Sequence, residues 1–139
     1  MFELSSCGTF TLLYSFCSGP TCPDGQTPMV PLVLDKYGNF YGTTGGGGSH
    51  YLGGNGGTIF RITPTGTLST LYNFCARQSN GVGLDGMSPD AALLQASDGN
   101  FYGTTQFGGT HNRGTFFKLT PAGKFTSLHS LFEASDPNG

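Results

Sequence analysis

The heptapeptide GNFYGTT is written twice in this chain of 139 residues, at Gly38–Thr44 and at Gly99–Thr105, so that its two tyrosines stand 61 residues apart. Recurrence at a fixed offset marks tandem structural units, each of which buries its apolar face only against a neighbour. The flanking sequence repeats with it. "DGQTPMVPLVLDKYGNFYGTT" from Asp24 and "DGMSPDAALLQASDGNFYGTT" from Asp85 share their turn signals, and "FELSSCGTFTLLYSFC" from Phe2 matches "FRITPTGTLSTLYNFC" from Phe60 at an offset of 58. The chain thus divides into the second half of a unit with its following loop, residues 1–23, a full unit over 24–84 and another over 85–139.

Each full unit reads as four strands. The first, Val30–Leu34 or Ala91–Gln95, is a short apolar run of the kind expected when both faces are covered. The second, Asn39–Thr44 or Asn100–Thr105, is entered through a "YGN" or "DGN" turn that supplies positive φ. The third, Thr58–Thr63 or Thr115–Thr120, leads through "TPTG" or "TPAG" into the fourth. That last strand places Leu68, Thr70, Tyr72 and Phe74 on one face, matched by Phe10, Leu12, Tyr14 and Phe16 near the start. An all-β chain of four-stranded antiparallel units in tandem, about two and a half of them, is expected to form propeller-type blades. The Phe and Tyr of the heptapeptide are expected to pack between blades, and its threonines to serve as strand formers.

With 24 glycines and few Lys, Arg, Asp and Glu, the composition favours turns and short strands over helices. A net charge of −2 gives no electrostatic footprint for nucleic acid. No apolar run is long enough for a spanning helix, so no membrane insertion is expected. Cys17 and Cys22 bracket "SGPT", close enough for a disulfide that would contribute about 2 kcal/mol and suit an oxidising setting. Cys7 and Cys75 fall at opposite ends of their units and are not expected to pair.

In a meander of this kind one end carries only tight turns, and the other collects the long loops at Cys17–Thr27, Gly45–Gly57, Cys75–Ser88 and Gln106–Arg113. Loops on a rigid scaffold are where binding resides. The candidate ligand residues there are His50, Tyr51, Asn55, His111, Asn112 and Arg113, the two histidines again 61 residues apart. No carboxylate accompanies them in these loops, so neither a metal site nor a catalytic one is expected, and no cofactor. "GGGG" at Gly45–Gly48 precedes no helix and is not a phosphate cradle. Asp24, Asp85 and Asp98 precede glycine and read as turn formers, while His129, aligned with Tyr72 and Tyr14, reads as structural.

Residues Pro89–Phe132, and Pro28–Phe74 with Tyr37 in place of the Asp of "DGN", follow the pattern "P-x-A-x-L-x-x-x-x-DGNFYGTT-x-x-GG … GT-x-F-K-x-T-P-x-G-x-x-T-x-L-x-x-F". This resembles the GloVer tandem repeat of bacterial surface proteins with varied C-terminal anchors. The resemblance covers essentially the whole chain and implies a secreted or surface-displayed bacterial protein of β-propeller type, with no catalytic residues to carry across. A non-catalytic binding, adhesion or matrix role is therefore expected, with glycan or surface protein as partner. Since a propeller needs about four blades or more, an alternative is a building block that assembles with other copies of itself, or further repeats, into a ring or filament through incomplete end blades. A second alternative is an enzyme similar to the propeller lyases, whose blades also carry "DGN" turns.

Overall fold

The computed structural model describes residues 2–4, 7–50 and 56–132. Among these the chain forms strands β1 (Phe2–Leu4), β2 (Phe10–Leu12), β3 (Val33–Leu34), β4 (Phe40–Thr44), β5 (Thr58–Ile62), β6 (Leu68–Asn73), β7 (Gln78–Ser79), β8 (Val82–Gly83), β9 (Leu94–Gln95), β10 (Phe101–Thr104), β11 (Thr115–Leu119) and β12 (Phe125–Ser130). Two open antiparallel meanders result, β3-β4-β5-β6 and β9-β10-β11-β12, with the hairpin β1-β2 standing for the third and fourth strands of the half-unit. The all-β expectation is met, in antiparallel sheets.

Local chemistry explains the turns. In the second unit Asp98 accepts from the backbone N–H of Asn100 at 3.0 Å and from its side-chain amide at 2.7 Å, pinning the turn into β10. The first unit lacks that Asp, and Asp35 replaces it from two positions earlier: it accepts from the Asn39 backbone at 2.9 Å and from Asn39 Nδ2 at 3.0 Å. At the other tight turn, Thr63 and Thr120 cap equivalently, each accepting on Oγ1 from the N–H four residues on, in Thr67 and Lys124. Such side-chain caps stand in for ladder bonds that a reversing backbone cannot make.

Three expectations need correction. The first strand is not a covered run of five residues but a pair, Val33–Leu34 or Leu94–Gln95, at the sheet edge, with Leu34 and Leu94 exposed. Proline at Pro31 and the short pairing with β4 end the ladder early. The fourth strand does not alternate throughout: a bulge against Ile59–Phe60 lets both Leu71 and Tyr72 pack on the core, and it recurs at Phe116–Phe117. Near the start, strand pairing covers only Phe10–Leu12 of the expected fourth strand. The hairpin β7-β8 in the loop between units was not expected; its signal is "NG", with Asn80 and Gly81 both at positive φ.

The core lies between the two meanders. Tyr41, Ile59 and Phe74 of the first meet Leu93, Phe101, Phe117 and Leu119 of the second, all nearly water-free. Tyr41 stacks on Phe101 with centroids 4.2 Å apart, so the aromatics of the heptapeptide do pack between units. Tyr72 stacks on Phe125 at 3.8 Å and Phe74 meets Phe117 edge-on at 5.4 Å. The same contact joins the half-unit to the first full unit, where Phe16 lies 4.9 Å from Phe60. The glycine inside the heptapeptide is required by this packing: a Cβ on Gly42 or Gly103 would fall within 2.7 Å of the Phe60 or Phe117 ring that covers it. Each buried ring contributes about 2–3 kcal/mol of apolar burial, which is what a two-faced sheet too thin for its own core must find from a neighbour.

Candidate functional site

At the long-loop end, the connections between units are fastened by a repeated pair. Tyr72 in β6 donates its hydroxyl to Asp85 at 2.6 Å, and Asp85 also accepts from the backbone N–H groups of Ala76 and Arg77. In the preceding loop Tyr14 donates to Asp24 at 2.9 Å and the Cys17 N–H points at the same carboxylate. Burial, reinforced by the bond to Asp85 and its charge, raises the Tyr72 pKa above the ordinary tyrosine value. The next residue locks onto the heptapeptide. Gly25 and Gly86 sit on the buried pairs Thr44–Thr58 and Thr105–Thr115, whose hydroxyls lie 2.9 and 3.0 Å apart and whose second members donate to the Asp24 and Asp85 carbonyls. Asp24 and Asp85 are therefore clamps between units rather than turn formers only, and Thr44 and Thr105 are buried polar ties rather than simple strand formers.

The loop ligands expected from sequence are arranged less compactly. His50, His111 and Arg113 are exposed. Nδ1 of His111 lies 3.1 Å from the Thr110 hydroxyl, and its ring meets Phe132 at 6.4 Å. Asn112 holds its own loop, accepting from the Gly108 N–H at 2.9 Å from a left-handed backbone. Tyr51 and Asn55 lie outside the described residues. Among the described residues no group of three or more His, Cys, Asp or Glu is placed to hold a metal ion. Cys17 and Cys22 form the expected disulfide. Cys75 is a buried thiol, its pKa pushed up to about 11 by burial and then by the Asp85 charge, which keeps it unreactive. Cys7 is exposed, 3.7 Å from the Thr9 hydroxyl.

The cavity opens at the opposite end. A volume of about 560 Å³ between the units is lined by Asp35, Lys36, Tyr37, Asn39, Tyr41 and Arg61 from the first and by Gln95, Gly99 and Pro121 from the second. Its floor is set by strand pairing, since Tyr41 in β4 is directly opposite Arg61 in β5. Burial and then the Asp35 charge raise the Tyr41 pKa, against the pull of Arg61. Burial also tends to raise Asp35, but hydrogen bonds from Asn39 and Tyr37 outweigh it and hold that carboxyl below its ordinary value. The second unit carries the same trio in the open, with Tyr102 donating to Asp98 at 3.0 Å and facing Lys118 across the ladder.

Strand register also makes the two outward surfaces comparable residue by residue. The forward face of the first unit, Val33, Tyr41, Ile59, Leu71 and Phe74, lies against the second unit. Its equivalents Leu94, Tyr102, Phe116, Leu128 and Leu131 occupy the same ladder positions. Of these, Leu94, Phe116, Leu128 and Leu131 are exposed, Leu94 to 67%. At the other end of the chain Phe10, equivalent to the Phe125 that Tyr72 covers, is 62% exposed.

With both ends and both faces placed, comparison with known families is decisive. The family model described as the Gloeobacter/Verrucomicrobia repeat matches residues 1–139. The chain belongs to that repeat family. No curated protein matches it. What distinguishes a Gloeobacter/Verrucomicrobia repeat unit in this structure is the set Tyr–Asp–Gly–Thr–Thr that fastens unit to unit, and sequence shows its members recurring but not the Tyr–Asp bonds that join them. The Tyr–Asp bonds span 10 and 13 residues across a loop of variable length, so no fixed spacing betrays them. The signal that could have found them is the recurrence itself: tyrosine at the same strand position and Asp-Gly at the start of the next unit, twice over.

Proposed function

We propose that this chain is a non-catalytic, extracellular module of propeller type that works by laying repeat unit upon repeat unit, as part of a cell-surface or matrix assembly. The observation that carries this reading is the match between the buried forward face of the first unit and the exposed forward face of the second. Four exposed apolar side chains in one patch are a docking surface rather than ordinary surface leucines, and the chain itself displays the partner that fits: another unit of its own kind. Exposed Phe10 supplies part of the complementary rear face, so contact between copies runs head to tail and yields a ring if the rotation closes and a filament if it does not. The Cys17–Cys22 disulfide supports an oxidising compartment.

The test is absolute mass by light scattering. The purified chain is expected as an oligomer or filament, and Phe116→Lys with Leu128→Lys is expected to return it to a folded monomer. A wild-type chain that stays monomeric at high concentration would defeat the assembly reading and return attention to His50 and His111 on the loop face as an adhesive surface.

A further inference from the structure

The cavity at the tight-turn end has a chemistry of its own, independent of how copies associate because both of its walls belong to one chain. Its volume, about 560 Å³, is that of a small-molecule site. Two cations, Lys36 and Arg61, line it against one carboxylate, Asp35. That carboxylate is already occupied: Oδ1 accepts from the N–H groups of Tyr37 at 2.8 Å and Asn39 at 2.9 Å, and Oδ2 from Asn39 Nδ2 at 3.0 Å. Arg61 is engaged by the Tyr41 side chain, yet it holds a buried Nε with no hydrogen-bond acceptor among the described residues. A buried donor without an acceptor costs free energy that an incoming oxygen would recover. At the rim Tyr37 presents a ring that is 74% exposed, with Lys36 Nζ 5.0 Å from its centroid. Gln95 of the second unit faces them across the opening with a side-chain amide able both to donate and to accept.

We infer that this cavity binds an acidic sugar, its carboxylate taken by Arg61 and Lys36, its ring laid along Tyr37 and its hydroxyls met by Gln95 and Asn39. Arginine is suited to the carboxylate because its planar fork engages both oxygens, and an exposed tyrosine offers a rigid, partly apolar surface to a sugar ring. Neither group alone specifies the ligand: the cations ask for an anion, the aromatic rim for a ring that carries it.

The test is titration of the isotope-labelled chain followed by NMR, with the Arg61 Nε–H and the Tyr37 amide as reporters and D-glucuronic acid, D-glucose and acetate as probes. Glucuronic acid is expected to shift both reporters saturably, with glucose and acetate each weaker by about tenfold or more. Tyr37→Ala and Lys36→Gln, both on exposed side chains, are expected to weaken glucuronic acid by a similar factor while leaving the rest of the spectrum in place, and Arg61→Gln to abolish it. Acetate binding as well as glucuronic acid would reduce the site to a simple anion site and overturn the proposal. Glucose binding as well would overturn the acidic class, and no saturable shift with any probe would overturn the site.

Discussion

At the scale of single residues, the account rests on Tyr72 and Asp85. A buried carboxylate costs several kcal/mol unless hydrogen bonds replace its water, and here the replacement is one hydroxyl and two backbone N–H groups. Tyr72→Phe keeps the ring stack on Phe125 and removes only the oxygen, so its expected cost is about 2 kcal/mol, against under about 1 for Tyr14→Phe, where Asp24 is only half-buried while Asp85 is buried. Thermal melts of the two variants check the order. The pH dependence follows from the same bond. Because the folded-state pKa of Tyr72 is raised, its contribution is intact below the unfolded value near 10 and is lost progressively as pH rises above it. The wild-type melting temperature is therefore expected to fall steeply above about pH 10, and that of Tyr72→Phe less steeply.

At the scale of elements, the turn before β4 shows how a unit tolerates change. Asp98 holds Asn100 in the second unit, and Asp35 holds Asn39 in the first, from a different position but through the same pair of donors. Asp35→Ala is expected to lower stability by about 1 kcal/mol, and Asp35→Ala with Tyr37→Asp, which restores "DGN", to recover most of it. Chemical denaturation of the three proteins reads this directly. Sequence made the turn, both middle strands and the interleaved aromatics legible because each follows from local propensity and the repeat. It misplaced the first strand, since an apolar run looks alike whether covered or left at an edge, and it missed the bulge, because an extra residue in β6 hides inside an otherwise regular alternation. The cavity escaped for a third reason. Loop length pointed to the opposite end, whereas the cavity depends on Gln95, Gly99 and Pro121 arriving from a neighbouring unit, a juxtaposition no local pattern encodes.

At the scale of the whole molecule, every surface that one unit turns toward the next is built from the same positions, and the chain buries that surface between its two full units while presenting another copy of it to solvent. This accounts for exposed Leu94, Phe116 and Leu128 in a chain whose equivalent Ile59 is buried in the core and whose equivalents Val33 and Leu71 pack, half-buried, against it. It also places the acidic-sugar cavity at a junction between units, so that each added junction would carry an Asp–Tyr–Lys or Asp–Tyr–Arg floor like those of Tyr102 and Tyr41. The most direct measurement is amide hydrogen exchange read by mass spectrometry at low and high protein concentration. Protection is expected to rise with concentration in peptides covering Leu128–Leu131 and Phe10–Leu12 together, while β5, already buried, stays unchanged; exchange independent of concentration at both faces would contradict the stacking of one copy on the next.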